Sequence, residues 1–364
     1  MLLNEAVFSA NTGLDAIKRA PIVQYNTDCK CLRIQDITQS KPFSEWGCTI
    51  VASRDKDKYL LKQDDIIIAR TGATVGVNIL IKKDMSSVYN NGLIRLKVND
   101  KFISYYIYLV MQTDSFRNYI QSVSCGTSAQ PNLQIGDLLK YDFKAHTFED
   151  QQHIVDILGT LDDKIENLEK TNKNLQELCL IKFRNIFSGV EKTTLSDIAV
   201  ITMGQSPAGN TLNEHTGTVF YQGRTDFGFR YPTVRLYTSE PKRIAKTNDI
   251  LLSVRAPVGD VNIAFEDCCI GRGIAAISSE YRSFVYYALI VQSADFDIYN
   301  NSGTIFGSIN KEALASFKIP ASDMELVKTF EKFANAIDTK IYYNTLEISK
   351  MKKLKELYLQ KFFG

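Results

Sequence analysis

Two arginines close similar phrases. Arg70 ends Asp64-Asp-Ile-Ile-Ile-Ala-Arg70 and Arg255 ends Asn248-Asp-Ile-Leu-Leu-Ser-Val-Arg255, each after an apolar run and before a turn that contains glycine. A guanidinium presented at the end of a strand is a planar fork of donors, suited to a phosphate or to the O6/N7 edge of guanine. It is equally suited to a surface salt bridge, and the sequence leaves both open. Thr71 and Thr74 lie on the turn after Arg70, and Gln130 and Asn132 lie in the Gly-, Ser- and Thr-rich stretch Ser122–Asn132, where amide side chains could pair with adenine. Arg224, Arg230 and Arg272 stand near glycines in the second half, with Asn310 beyond Gly303-Thr304. For these a positioning role is the alternative to base reading. Gly72, Gly76 and Gly259 read as turn residues.

Catalytic chemistry leaves little trace. An adenine methyltransferase needs a Gly-rich cofactor loop and an Asn/Asp-Pro-Pro-aromatic motif, but the chain has no Pro-Pro pair. A nucleotide-driven motor needs G-x-x-x-x-G-K-[ST], and no Gly-Lys dipeptide occurs. Asp162-Asp-Lys164 and Asp338-Thr-Lys340 match the D-x-K spacing of metal-dependent nucleases, but they fall on long helices where such triplets are ordinary solvated faces. Seven cysteines include no C-x-x-C pair and the three histidines lie far from them, which argues against a structural zinc site.

The elements that must position these residues occur twice. Over Glu149–Phe187, the residues Ile154, Ile157, Leu158, Leu161, Ile165, Leu168, Leu175, Leu178 and Ile181 recur at three- and four-residue steps, which predicts one long helix. Asp323–Phe363 repeats the stripe with Phe330, Phe333, Ala334, Ile337, Ile341, Ile348, Met351, Leu354 and Leu357. At about 1.5 Å rise per residue each helix would run on the order of 55 Å, and the natural way to bury both stripes is against each other. A gapless overlay puts Leu161-Asp162-Asp163-Lys164-Ile165 on Ile337-Asp338-Thr339-Lys340-Ile341, Leu178 on Leu354 and Phe187 on Phe363. Asn172 and Asn344 interrupt the stripe, either as register-setting polar residues or as solvated ones.

Ahead of each helix the text also repeats. Short β-branched runs, Asp65–Ala69, Val77–Ile81 and Leu93–Val98, lead to a predicted helix over Phe102–Gln121; Tyr105-Tyr106 is answered by Tyr286-Tyr287, and Gly126-Thr127 by Gly303-Thr304. Little can be placed between Met1 and Asp36. The layout is domain, helix, domain, helix: 1–148, 149–188, 189–322 and 323–364. Antiparallel pairing of the helices would relate the halves by a pseudo-two-fold axis, so that one chain imitates a symmetric dimer. Double-stranded DNA has local two-fold axes of its own, and two modules at a fixed separation can read two half-sites.

Composition sets the bounds. With 364 residues, 45% of them apolar, the chain is comfortable for two domains. A net charge of only +2 means that any DNA-binding surface would come from local placement of the 43 Lys and Arg residues. No signal peptide, lipidation motif or apolar run near a membrane span is evident, so a cytoplasmic chain with free thiols is expected.

These phrases carry a resemblance. Asp65-Ile-Ile-Ile-Ala-Arg-Thr-Gly-Ala-Thr-Val-Gly76, Asp249-Ile-Leu-Leu-Ser-Val-Arg-Ala-Pro-Val-Gly259, Gly126-Thr-Ser-Ala-Gln-Pro-Asn132, Glu149-Asp-Gln-Gln-His-Ile-Val-Asp-Ile-Leu158 and Leu161-Asp-Asp-Lys-Ile165, in this order and followed by Asn167–Leu178, resemble the specificity subunit of type I restriction–modification systems. The resemblance implies an α+β fold with two mixed α/β target-recognition domains separated by an antiparallel pair of long helices. It implies a non-catalytic subunit that binds double-stranded DNA, two methyltransferase subunits and, in the full enzyme, two motor-nuclease subunits. No cofactor is expected in this chain; SAM, ATP and Mg would belong to the partner subunits. Gly303-Thr-Ile-Phe-Gly-Ser-Ile-Asn310 departs by lacking the Gln-Pro of the first copy, and the chain is short for the family, leaving a lean N-terminal edge. A duplicated coiled-coil scaffold that binds only protein is the alternative.

Overall fold

The computed structural model describes residues 1–124, 131–300 and 307–364. They divide into two units, Met1–Glu166 with Ile348–Gly364, and Asn167–Glu347. Both mix sheet and helix, and the same plan is built twice. In the first unit an antiparallel sheet runs in the order Val7–Thr12, Leu93–Val98, Ile66–Ala69, Asn78–Leu80. In the second the order Val200–Met203, Ile274–Ser278, Ile250–Ser253, Val261–Ile263 matches it strand for strand. Each unit adds a second sheet with one parallel pair, Lys30–Leu32 beside Ser87–Tyr89 and Thr218–Tyr221 beside Cys268–Ile270.

The central strand explains the unbroken apolar runs in the sequence. Successive side chains point to opposite faces of a sheet, so a strand covered on both sides must be apolar at every position. Ile66 and Ile68 enter one core while Ile67 and Ala69 enter another. Likewise Ile250 and Leu252 face one cluster and Leu251 the other. The entry turns are also duplicated. Asp64 and Asn248 take left-handed backbone with φ of 68° and 75°, and Asp65 and Asp249 accept the amide hydrogens of Lys62 at 2.9 Å and Lys246 at 2.8 Å.

The predicted helix over Phe102–Gln121 is two helices, Ser104–Val110 and Asp114–Ser124. Thr113 breaks it: its hydroxyl donates to the Val110 carbonyl at 2.8 Å and accepts from the Phe116 amide at 3.2 Å, offering the backbone a cap in place of a continued helix. The Met1–Asp36 stretch holds an edge strand of the first sheet, Val7–Thr12, whose Phe8 is exposed and so gives no apolar alternation to recognise.

The long helices span Phe148–Phe187 and Met324–Phe363. Within the first unit Ile154, Leu158 and Leu161 share a core with Tyr358, Leu359 and Phe363. Within the second, Phe183 and Phe187 stack edge-on against Phe330 at 5.2 and 5.7 Å, and Asn172 meets Asn344 further along. In each unit rising numbers on one helix meet falling numbers on the other, so the pairing is antiparallel. Asn172 and Asn344 are both buried and hydrogen-bonded to each other at 2.8 Å, so they are paired rather than solvated. The expected stripe is wrong at Leu178, Ile181, Leu354 and Leu357, which are exposed; Cys179, Leu180 and Phe183 face inward instead.

The aspartates of the D-x-K triplets are anchors. Asp162 accepts from the Tyr105 hydroxyl and from Lys355 at 2.7 Å. Its counterpart Asp338 accepts from the Tyr287 hydroxyl at 2.8 Å and pairs with Arg230 at 2.6 Å. Each ties a tyrosine of the domain helix to a long helix. The burial differs: Arg230 and Asp338 are 0% and 2% exposed at the side chain, against 18% and 21% for Lys355 and Asp162. Removing one partner of a fully buried pair leaves an uncompensated charge. Asp338→Ala is expected to destabilise the second unit by about 3–5 kcal/mol, and Asp162→Ala the first by about 1 kcal/mol. Hydrogen exchange of the Ser104–Val110 and Arg282–Val291 helices, followed in each variant, checks the ranking.

Candidate nucleic-acid interface

Each unit ends its central strand in a turn closed by the same backbone hydrogen bonds. In the first, the Arg70 amide donates to the Gly92 carbonyl at 2.9 Å, the Leu133 amide to Arg70 at 2.7 Å and the Gly72 amide to Pro131 at 3.1 Å. In the second, Val254 donates to Gly273 at 2.9 Å, Ile309 to Val254 at 3.1 Å and Ala256 to Gly307 at 2.9 Å. Thr71 bridges Asn132, and Arg255 bridges Ser308. The turns depend on glycine: Gly72, Gly76 and Gly259 have φ of 82°, 91° and 106°, and a Cβ on Gly259 would fall 2.8 Å from Phe296.

These bonds correct the pairing of the arginines. Arg70 is in register with Val254, and Arg255 with Thr71. The second strand phrase is one residue longer before its arginine, and one residue in an extended chain reverses the direction of the side chain. Val254 is buried while Arg255 is exposed. Arg70 is half-buried; its Nη2 donates to Asn132 Oδ1 at 3.2 Å, and its Nε is buried without a partner among the described residues. The two arginines therefore do not present the same surface.

The other candidates scatter. Thr71 and Thr74 lie partly exposed on the first turn and Asn132 is exposed beside it, whereas Gln130 lies outside the described residues, as do Gly126, Thr127, Gly303 and Thr304. Arg272 is exposed, with its amide donating to Ser206 Oγ at 3.2 Å. Arg224 is exposed and ion-paired with Asp260. Asn310 is exposed but serves as an N-cap, accepting the Ala313 amide at 2.8 Å. Arg230 is a correction: it is 1% exposed, lies 4.3 Å over the Tyr286 ring, donates to the Tyr287 hydroxyl at 3.2 Å and pairs with Asp338, so it binds the domain to the helix and cannot reach a surface ligand.

Three loops of the second unit converge on this end of the sheet. Val254 bonds to Gly273, and a Cβ on Gly273 would lie 2.7 Å from the Gln222 carbonyl oxygen, so the Arg224–Asp226 turn packs directly on the Gly271–Gly273 turn. Arg235, which the sequence reading missed, joins them: its Nε donates to the buried Asp226 at 2.7 Å while the side chain stays 52% exposed. Its only sequence signal is an arginine near an aspartate, which is too common to single out. The first unit has the matching device in Arg33, whose Nε donates to buried Asp36 at 3.1 Å. Among the described residues no group of three or more His, Cys, Asp or Glu side chains could hold a metal ion. Burial pushes the Cys31 and Cys268 thiols up to about 12, which holds them protonated and unreactive.

Comparisons with known proteins agree with this geometry. The model of the type I restriction modification DNA specificity domain matches residues 24–177 and again 188–357. The putative type I restriction enzyme MjaX specificity subunit of Methanocaldococcus jannaschii is 30% identical over 356 residues, covering 89% of this chain and 84% of that protein. The MjaIX specificity subunit of the same organism is 29% identical over 125 residues, 34% of this chain and 28% of that one. Among solved structures, the type I restriction–modification S subunit from M. genitalium aligns over 100% of this chain and 95% of its own with a TM-score of 0.60 at 17% identity.

The glycine turns give a test of the frame. Gly72→Ala meets no neighbour and pays only for left-handed backbone, about 1–2 kcal/mol. Gly259→Ala pays that and displaces Phe296, so its midpoint in urea denaturation is expected to fall further than that of Gly72→Ala.

Proposed function

Because the chain belongs to the type I restriction–modification DNA specificity family, we propose that this specificity subunit reads a bipartite, asymmetric double-stranded DNA target, one half-site per recognition domain, with the paired long helices as the spacer. The observation that carries this is the duplication of the whole frame: the same sheet order, the same glycine turn and the same aspartate anchor stand in both units, while the exposed side chains on the turns differ. A repeated frame with unlike surfaces suits two unlike half-sites. Reading would come from loops at the strand ends, with phosphate contacts fixing register and a few arginine and amide side chains addressing base edges.

The chain itself carries out no catalysis in this reading. Methylation of adenine and cleavage would come from two methyltransferase and two motor-nuclease subunits, which would bring SAM, ATP and Mg; the assembly would work in the cytoplasm. No described helix is long and apolar enough to cross a membrane. The exposed apolar pairs favour docking over a DNA-only role. Leu178 and Ile181 on the first long helix and Leu354 and Leu357 on the second occupy equivalent positions, 42–62% exposed. Equivalent apolar patches on the two helices suit two copies of one partner. A protein-only scaffold would use the same patches, but the exposed arginine-bearing loops of the second unit would then have no purpose.

Deleting seven residues from each long helix keeps the apolar stripe in phase and removes about 10.5 Å of rise, so the preferred gap between half-sites should shorten by about 3 base pairs. Sequencing of methylated DNA from a host expressing the shortened chain with its methyltransferase reads the gap, and an unchanged gap would discard the spacer role. Replacing Leu178 and Ile181 with glutamate should leave one bound methyltransferase copy in place of two, and so should replacing Leu354 and Leu357. Native mass spectrometry of each complex counts them.

A further inference from the structure

The two units share a loop frame but carry different chemistry on it. In the second unit Arg255 and Arg272 are exposed on neighbouring turns that the Val254–Gly273 hydrogen bond of 2.9 Å holds together. Backbone register places Thr71 at the position of Arg255. It places Asn91 at the position of Arg272, because Asn90 donates to Leu32 at 3.1 Å where Gly271 donates to Tyr221 at 2.8 Å, and Gly92 and Gly273 receive the equivalent strand-end amides. Asn91 is exposed, as is Asn132 across the turn from Thr71. The arginines at this end of the first unit are engaged elsewhere: Arg33 on Asp36 through Nε and Nη2 at 3.1 and 3.2 Å, and Arg70 on Asn132.

We propose that the second unit reads a half-site containing guanine through Arg255 and Arg272, and that the first reads an adenine·thymine pair through Asn91. This rests on the DNA-reading assignment above and names the bases that each half would recognise. An exposed guanidinium offers two parallel donors to the O6 and N7 acceptors of guanine, whereas an asparagine amide offers a donor and an acceptor to N7 and N6 of adenine. The asymmetry of the target then follows from two one-for-one exchanges on a common backbone, arginine for threonine and arginine for asparagine. Arg255 stands in the turn behind Gly259, whose left-handed backbone and contact with Phe296 fix the direction of the loop.

The experiment uses the intact complex with its methyltransferase subunits and a randomised double-stranded DNA library, with methylated molecules sequenced. Arg255→Gln and Arg272→Gln should each lower discrimination roughly 5- to 100-fold at a G·C position, both within one half of the motif. Asn91→Ala should relax an A·T position in the other half. Retained selectivity in the untouched half reports that each variant folds and assembles. Relaxation at an A·T pair by the arginine variants, no change in the motif, or a uniform loss of methylation with a shallower salt dependence, the sign of a phosphate contact, would each overturn the proposal while leaving the DNA-reading role intact. A wild-type complex that methylates the library without any motif would sink the role and the proposal together.

Discussion

An aspartate one third of the way along each long helix decides where the domains attach. Asp162 and Asp338 occupy the same place in the repeat, and each accepts a hydrogen bond from a tyrosine of the helix that backs the central sheet. Tyr287 is buried and Tyr105 partly so, and both hydroxyls are pushed up by burial first and by the neighbouring carboxylate among the further causes, so they remain protonated donors. The cation that balances each aspartate differs. Lys355 comes from the opposite long helix, whereas Arg230 comes from the recognition domain itself, sandwiched near Tyr286 and Tyr287. Both anchors therefore tie three elements at one point: the first joins the two long helices and the Ser104–Val110 helix, and the second joins one long helix, the Arg282–Val291 helix and the loop that carries Arg230. The same solution to one packing problem has been reached with different cations.

That anchoring leaves the opposite end of each sheet free to vary. The central strand is closed on both faces by core, so neither its sequence nor its position can drift far without opening a cavity. Beyond the strand end, the hydrogen bonds that both turns share are backbone to backbone, and Thr71 and Arg255 enter them through the main chain, so these bonds impose no side-chain identity at that position. Thr71 and Arg255 share one backbone position for this reason. Side chains there can change without cost to the fold, which is what a recognition surface needs and a core position forbids.

The periodic and apolar features were legible in the sequence, and the register was not. The long helices, the repeat, the strand phrases and the glycine turns all follow from local patterns, and they appear in the structure within a residue or two of the expected boundaries. The equivalence of Arg70 with Arg255 failed because both phrases end in arginine while their lengths differ by one residue, and only the hydrogen-bond pairing to Gly92 and Gly273 reveals the shift. Arg230 failed for another reason. A basic residue beside glycines reads as a surface loop, and its burial depends on Asp338, more than a hundred residues away, which no local window contains. Leu178 and Leu354 were placed in the stripe because apolar residues were available at helical spacing, whereas the buried face uses Cys179 and Asn172, which a hydrophobicity count discounts.

The buried pair of asparagines shows how a duplicated chain avoids pairing with itself wrongly. Two stripes built from the same repeat offer several antiparallel registers of similar apolar burial, each one helical turn from the next. In the observed register Asn172 and Asn344 satisfy each other at 2.8 Å while almost wholly buried. At the positions that the repeat makes equivalent stand Ile348 and Leu168, both apolar, so the amide pair occurs once and is not echoed. A slip by one turn would bury each amide against aliphatic carbon and cost about 1–3 kcal/mol for each unsatisfied group. Apolar residues at the same two positions would give a more stable pair of helices and a less certain register. If the paired helices set the gap between two half-sites, as proposed, an error of one turn would be an error in the distance read, and the polar pair would serve the measurement and not the stability.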